Sequence, residues 1–154
     1  MSNPTVSKRQ ALILLATPFA LVFASPSVEA GLPSVKAYRN PGCGCCEKWS
    51  GLMKEAGFAI TMEDDANLAD RKTSLGVPAD IAGCHTAIIG QYIFEGHVPP
   101  ADVIKFLNEK PDALGLAVPG MPAESPGMEM GGEPEKYDVV LFSAGGVSRI
   151  YASH

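Results

Sequence analysis

No apolar run in these 154 residues is long enough to span a bilayer: the main one, Ala11 to Ala24, falls short of the roughly 20 residues required, and Pro18 interrupts it. No cysteine follows that run to carry a lipid anchor, and Lys8-Arg9 is not a twin-arginine pair. Basic residues are sparse. There are 12 Lys and Arg against 17 Asp and Glu, a net charge of −5, and no basic cluster forms, which argues against nucleic acid as a partner. Cysteine is also scarce, but its four copies are not scattered. Three fall in one turn, Cys43-Gly44-Cys45-Cys46, and the fourth, Cys84, is followed directly by His85.

Compartment governs how those thiols are read. Lys8 and Arg9 precede the apolar run, and Ser25-Pro26-Ser27-Val28-Glu29-Ala30 follows it with small residues, which predicts a secretory signal peptide over residues 1–30 cleaved after about Ala30. A retained membrane anchor is the competing reading, and the shortness of the run disfavours it. Residues 31–154 then form one exported, periplasmic domain of ordinary size. Its acidic balance suits a cationic ligand but nominates none.

Along that domain, strand and helix signals alternate. Val35 to Tyr38 reads as a strand, Asn40-Pro41-Gly42 as a turn, and Cys45 to Ala56 as a helix closed by Gly57. Phe58 to Met62 alternates as a strand, and Asp64-Asp65 is placed to cap a helix from Ala66 to about Leu75, stopped by Gly76-Val77-Pro78. Thr86 to Ile89 and Gln91 to Phe94 flank Gly90 as an antiparallel hairpin, and Pro99-Pro100 opens a helix through Lys110. This β-α-β-α-β-β-α order predicts an α/β, thioredoxin-like sheet. From Pro111 to about Lys136 the composition turns to Pro, Gly, Met and Glu, a long irregular loop of the kind that is usually functional or disordered. Tyr137 to Phe142 and Val147 to Tyr151, either side of Gly145-Gly146, predict an appended C-terminal β-hairpin.

On a helix begun near Cys43, Cys43 and Cys46 face one way and Cys45 another, so one tetrahedral ion would struggle to gather all three. If Cys43 precedes the first helical residue, the thiolates instead fan across the helix N-terminus, where free amides and the dipole favour negative sulfur. Such crowding favours thiolates that bridge several ions. Soft thiolate and thioether donors select Cu(I), with no oxygen-rich set in this turn for harder ions. Cys84-His85 precedes the third strand, which in a thioredoxin-like fold lies beside that helix start. Thioredoxins carry a cis-proline there; here Pro78 comes too early and Cys84 takes the place. Trp49 follows the cysteines instead of preceding them.

Four separated stretches, Asn40-Pro41-Gly42-Cys43-Gly44-Cys45-Cys46-Glu47-Lys48-Trp49, Cys84-His85-Thr86-Ala87, Glu95-Gly96-His97-Val98-Pro99 and Gly115-Leu116-Ala117-Val118-Pro119-Gly120-Met121-Pro122, resemble the CopG-like copper-resistance proteins, a family first catalogued as a domain of unknown function. The resemblance covers nearly all of residues 31–154. It implies an exported thioredoxin-like protein that binds copper through Cys43, Cys45, Cys46 and Cys84. It also implies a role in copper homeostasis and resistance, with a change of copper's oxidation state as a further activity and other periplasmic copper-handling proteins as partners.

Each of these residues has a plainer reading. The cysteines could form two structural disulfides, although adjacent Cys45 and Cys46 suit that poorly, or a zinc site, although its arms would be three and one. Cys43 and Cys46 could be the attacking and resolving thiols of a thiol-disulfide oxidoreductase, or the chain a passive metal carrier. His85 is a candidate ligand or an orienting neighbour of Cys84. Met121 and Met128, in echoed Pro-Gly-Met units, are candidate thioether donors over the metal or simple packing residues. Met53 and Met62 read as core, His97 as loop packing and His154 as solvated. Lys48 and Trp49 could shield the thiolates, and Glu63 to Asp65 read as a capping run.

Overall fold

The computed structural model describes residues 31–144 and 146–154, so the expected signal peptide lies outside the described residues. Its seven strands are β1 (Val35–Arg39), β2 (Ile60–Asp64), β3 (His85–Ile89), β4 (Tyr92–Glu95), β5 (Gly115–Ala117), β6 (Asp138–Ser143) and β7 (Gly146–Ser153). The helices are α1 (Gly44–Glu55), α2 (Leu68–Ser74) and α3 (Pro100–Glu109), with a 3-10 turn at Ala79–Ile81. The fold is therefore mixed α/β. All strands lie in one sheet in the order β2-β1-β3-β4-β5-β6-β7. Two neighbouring pairs are parallel, β1 with β2 and β4 with β5, and each is joined by a segment long enough to contain a helix.

Period-two alternation explains how the sheet is covered. Tyr92 and Phe94 of β4, Leu116 of β5, and Val139 and Leu141 of β6 join one core cluster with Trp49, Met53, Val103 and Phe106 from α1 and α3. The intervening Ile93, Ala117, Val140 and Phe142 face the other side and pack with Val77 and Ile81. On α1 the buried residues Cys46, Trp49, Ser50 and Met53 form one stripe at helical spacing. Thus the stripe that anchors α1 also carries one of the cysteines.

Several sequence expectations shift in the structure. Strand β2 begins at Ile60; Phe58 is instead a core residue whose N–H donates to the Met53 carbonyl at the end of α1. The Asp64-Asp65 cap is corrected: Asn67 is the N-cap of α2, Asp64 ends β2 and accepts from Arg39, and Asp65 accepts from the Asn67 N–H and from Arg71. The stretch from Pro111 to Lys136, expected to be irregular, contains β5. That strand is only three residues long, and its Gly115 passes so close to β4 that a Cβ there would meet the Ile93 carbonyl oxygen at 1.6 Å. Short length and a glycine hide such a strand from periodicity.

The chain end is pinned too. Residues 137 and 154 exchange backbone hydrogen bonds at 3.2 and 3.0 Å, and His154, exposed as expected, also places Nε2 2.7 Å from Asp102 Oδ2 on α3. Its ring stacks on Tyr137. No helix among the described residues is long and apolar enough to cross a membrane.

Candidate metal centre

The site starts from the end of β1. Asn40, Pro41 and Gly42 turn the chain, with Gly42 at φ +78°, a conformation glycine reaches without strain, and the Cys43 N–H closes the turn on the Asn40 carbonyl. Cys43 is the N-cap of α1, in extended conformation, and its side chain makes no capping bond. Its sulfur is therefore tied to no backbone amide and stands at the positive end of the helix. Arg39 braces this start: Nη1 donates to the Cys43 carbonyl at 3.1 Å, Nε to Asp64 at 2.7 Å, and Nη2 lies 2.7 Å from Glu47.

All four cysteine sulfurs lie within 4.8 Å of one another. Of the two arrangements open from the sequence, the one with Cys43 before the first helical residue is observed. Cys45 Sγ sits in the middle, 3.5 Å from Cys43 Sγ and 3.5 Å from Cys84 Sγ, because Cys43 lies just before the helix and not within it. Cys46 is buried and faces the Cys84 carbonyl. Cys43 and Cys46 are joined as a disulfide, whereas Cys45 and Cys84 are free thiols. Two structural disulfides are thus not what the chain holds. Burial first, and then the hydrogen bond with Cys45, push the Cys84 thiol up to about 12, so in this state it keeps its proton.

A fifth sulfur arrives from the Met-rich loop. Met121 Sδ lies 3.0 Å from Cys84 Sγ although the residue is 58% exposed, and the pair lines an open cleft with Asn40, Gly42, Cys43 and Gly120. Met130 projects outward, and Met128 is half-buried with its N–H on the Ser125 carbonyl. The loop is ordered by its own carboxylates: Glu124 accepts from the Met130 and Gly132 amides, Glu129 from Gly127, and Glu135 from Ala123. Those backbone bonds hold the Glu124 carboxyl below its ordinary range. At Gly127 the loop presses against α1, where a Cβ would meet Trp49 N at 2.8 Å and the Cys45 carbonyl at 2.9 Å.

Beneath the thiols lie two buried imidazoles. His85 packs against Trp49 with centroids 4.3 Å apart and meets His97 edge-on at 5.0 Å. His97 Nδ1 donates to the Pro126 carbonyl at 2.7 Å, which leaves Nε2 without a protein partner, as are both nitrogens of His85. Burial pushes both imidazoles below the ordinary histidine range, His85 most strongly, so neither is charged near neutrality. Trp49 is fully buried and donates Nε1–H to the Val98 carbonyl, a packing role, and Lys48 is exposed. Sequence reading passed over a buried pair behind Cys84, Lys72 and Glu95, with Thr86 and Gly83 bound to it. Its signals were a charged residue ending an apolar strand and the place of Glu95 at the head of the Glu95-Gly96-His97-Val98-Pro99 stretch.

A donor set of four cysteine sulfurs and one thioether, with no carboxylate among them, fits a soft metal ion. Comparison with known proteins bears on this directly. Residues 81–128 match the family model described as "Protein of unknown function, DUF411". A solved structure titled "Copper resistance protein copG- Form 1" is 41% identical, covering 80% of this chain and 98% of that one, with a TM-score of 0.75. This chain belongs to the CopG copper-resistance family. "Copper resistance protein copG- Form 2" matches over the same shares at 39% identity and the same TM-score. A comparison with curated proteins finds no match.

Proposed function

We propose that this CopG-family chain is an exported, periplasmic, thioredoxin-like protein of copper homeostasis that holds Cu(I) in a thiolate site of more than one ion. The ligands in this reading are Cys43, Cys45, Cys46 and Cys84, with Met121 as a thioether at the surface and His85 as a further candidate beneath. The observation that carries it is the gathering of four cysteine sulfurs within 4.8 Å at a helix N-terminus, all four available as thiolates once Cys43 and Cys46 are reduced. Copper, if bound there, is cargo. Each thiol must release its proton, and the helix amides and dipole lower the cost of negative sulfur beside α1.

The disulfide supports a change of oxidation state as part of the function. Reduced Cys43 and Cys46 can together release two protons and two electrons as their S–S bond forms, and two Cu(II) ions each accept one electron. Cys45, Cys84 and Met121 remain as soft donors for the Cu(I) product. The same disulfide favours a second reading, a thiol-disulfide oxidoreductase with Cys43 attacking and Cys46 resolving.

The deciding measurement is metal per chain on anaerobically reduced protein lacking residues 1–30, by elemental analysis against a competing Cu(I) chelator. More than one tightly held Cu(I) per chain, not displaced by zinc, is the expected result. Strict one-to-one binding would reject the multinuclear site, and failure to compete with the chelator would reject the copper reading.

A further inference from the structure

We infer that Glu95 is a positioning residue for the Cys84 and Met121 limbs, set there to aim their sulfurs and charged because of the donors it must satisfy. This rests on the metal-site reading above and deepens it. Glu95 is fully buried at the end of β4. Its Oε1 accepts the Gly83 N–H at 2.7 Å and a bond from the Lys72 ammonium, and its Oε2 accepts the Thr86 hydroxyl at 2.7 Å. Gly83 and Thr86 bracket Cys84-His85, so one carboxylate grips that segment at both ends.

The main chain of Glu95 and of its neighbour Gly96 holds both limbs. The Gly96 N–H donates to the His85 carbonyl at 2.9 Å, and the Val118 N–H donates to the Glu95 carbonyl at 3.0 Å. Val118 is three residues before Met121, whose sulfur meets that of Cys84 at 3.0 Å. The crossing is tight as well. A Cβ on Gly83 would lie 2.6 Å from Gly96 Cα, and one on Gly96 would lie 2.7 Å from the Val118 carbonyl oxygen. The two sulfur limbs are therefore registered against each other through residues 95 and 96.

Stability alone does not call for this arrangement. A buried ion pair gains little over an apolar pair of equal volume, because desolvation offsets its attraction. An apolar pair, however, would leave the Gly83 amide without an acceptor and the Cys84 segment without its anchor. Three donors converge here, a backbone N–H, a hydroxyl and an ammonium, and a carboxylate is the side chain that accepts from all of them.

The test uses two charge-neutral double variants of the full domain. Lys72→Met with Glu95→Gln keeps an amide oxygen for Gly83; Lys72→Met with Glu95→Ala removes it. By chelator competition the Gln variant should bind Cu(I) close to wild type, and the Ala variant about tenfold or more weakly, with an altered thiolate-to-copper absorption band. Without copper, the Gly83 amide should keep its hydrogen-exchange protection in the first variant and lose it in the second. Equal copper affinity and equal Gly83 protection in the two folded variants would overturn the inference. If the Ala variant does not fold, Thr86→Val, which removes one of the gripping bonds, must still weaken Cu(I) binding and Gly83 protection; wild-type values would overturn it. Wild-type protein that binds no Cu(I) would defeat the copper reading, and the Gly83 exchange result would still judge the grip.

Discussion

Gly83→Ala asks how much displacement the Cys84 limb tolerates. Gly83 has no positive φ, so alanine brings no dihedral strain and the whole effect is steric. The new Cβ would stand 2.6 Å from Gly96 Cα and 3.0 Å from Gly96 N, where ordinary contact begins near 3.4 Å. Both obstacles are backbone and cannot swing aside, so β3 and β4 must part at this end by several tenths of an ångström. Overpacking of this kind costs about 1–3 kcal/mol, a fall of several degrees in the Tm of the reduced apoprotein. The shift is handed directly to Cys84, whose sulfur sits 3.5 Å from Cys45 and 3.0 Å from Met121. Cu(I) affinity measured by chelator competition should fall about tenfold or more. Gly90→Ala is the matched comparison: with φ +61° and nothing within 4 Å, it loses about 1–2 kcal/mol through its backbone alone at the far end of the same hairpin. Copper binding in Gly83→Ala equal to that in Gly90→Ala would refute the steric chain from glycine to sulfur.

Cys84→Ser separates the two functional readings. The copper reading expects weak disulfide-reductase activity in the native protein and a marked loss of Cu(I) capacity and copper tolerance in the variant; strong reductase activity with unchanged capacity would promote the oxidoreductase. Met121→Leu should leave stability within about 1.5 kcal/mol, since the volume is kept and the residue is 58% exposed, while speeding the release of Cu(I) to a chelator. Met128→Leu should release at the wild-type rate, and a reversed order would move the thioether role to Met128.

The sequence carries the element order well because its punctuation is explicit. Gly42, Gly57, Gly76 and Gly90 all adopt positive φ, and each falls at a boundary that composition alone marks. Cys84's place beside the helix start also follows from strand order, and the observed Cys45 to Cys84 contact agrees with it. What composition hides is decided by through-space packing. Strand β5 has three residues and no alternation to detect, and its place depends on pairing with Ile93 to Glu95 and Val140 to Phe142. Cys45's central position depends on a half-turn of phase, whether helix α1 begins at Cys43 or after it, and no residue type distinguishes these. Glu95 stands in the sequence only as the head of Glu95-Gly96-His97-Val98-Pro99, and its role emerges when Lys72 of α2 and the Gly83 to Thr86 segment converge on it.

The sulfurs of Cys43, Cys45, Cys84 and Met121 stand in file, separated by 3.5, 3.5 and 3.0 Å, with the last in the open cleft. Each gap is shorter than two metal–sulfur bonds of about 2.3 Å laid end to end. In the copper reading, an incoming soft ion would therefore touch its next donor before letting go of the previous one. Because Cys43, Cys84 and Met121 line that same cleft, capture and release in the copper reading would share one mouth, with the ion exchanged between neighbouring sulfurs and Cys43 joining them only once its bond to Cys46 is reduced.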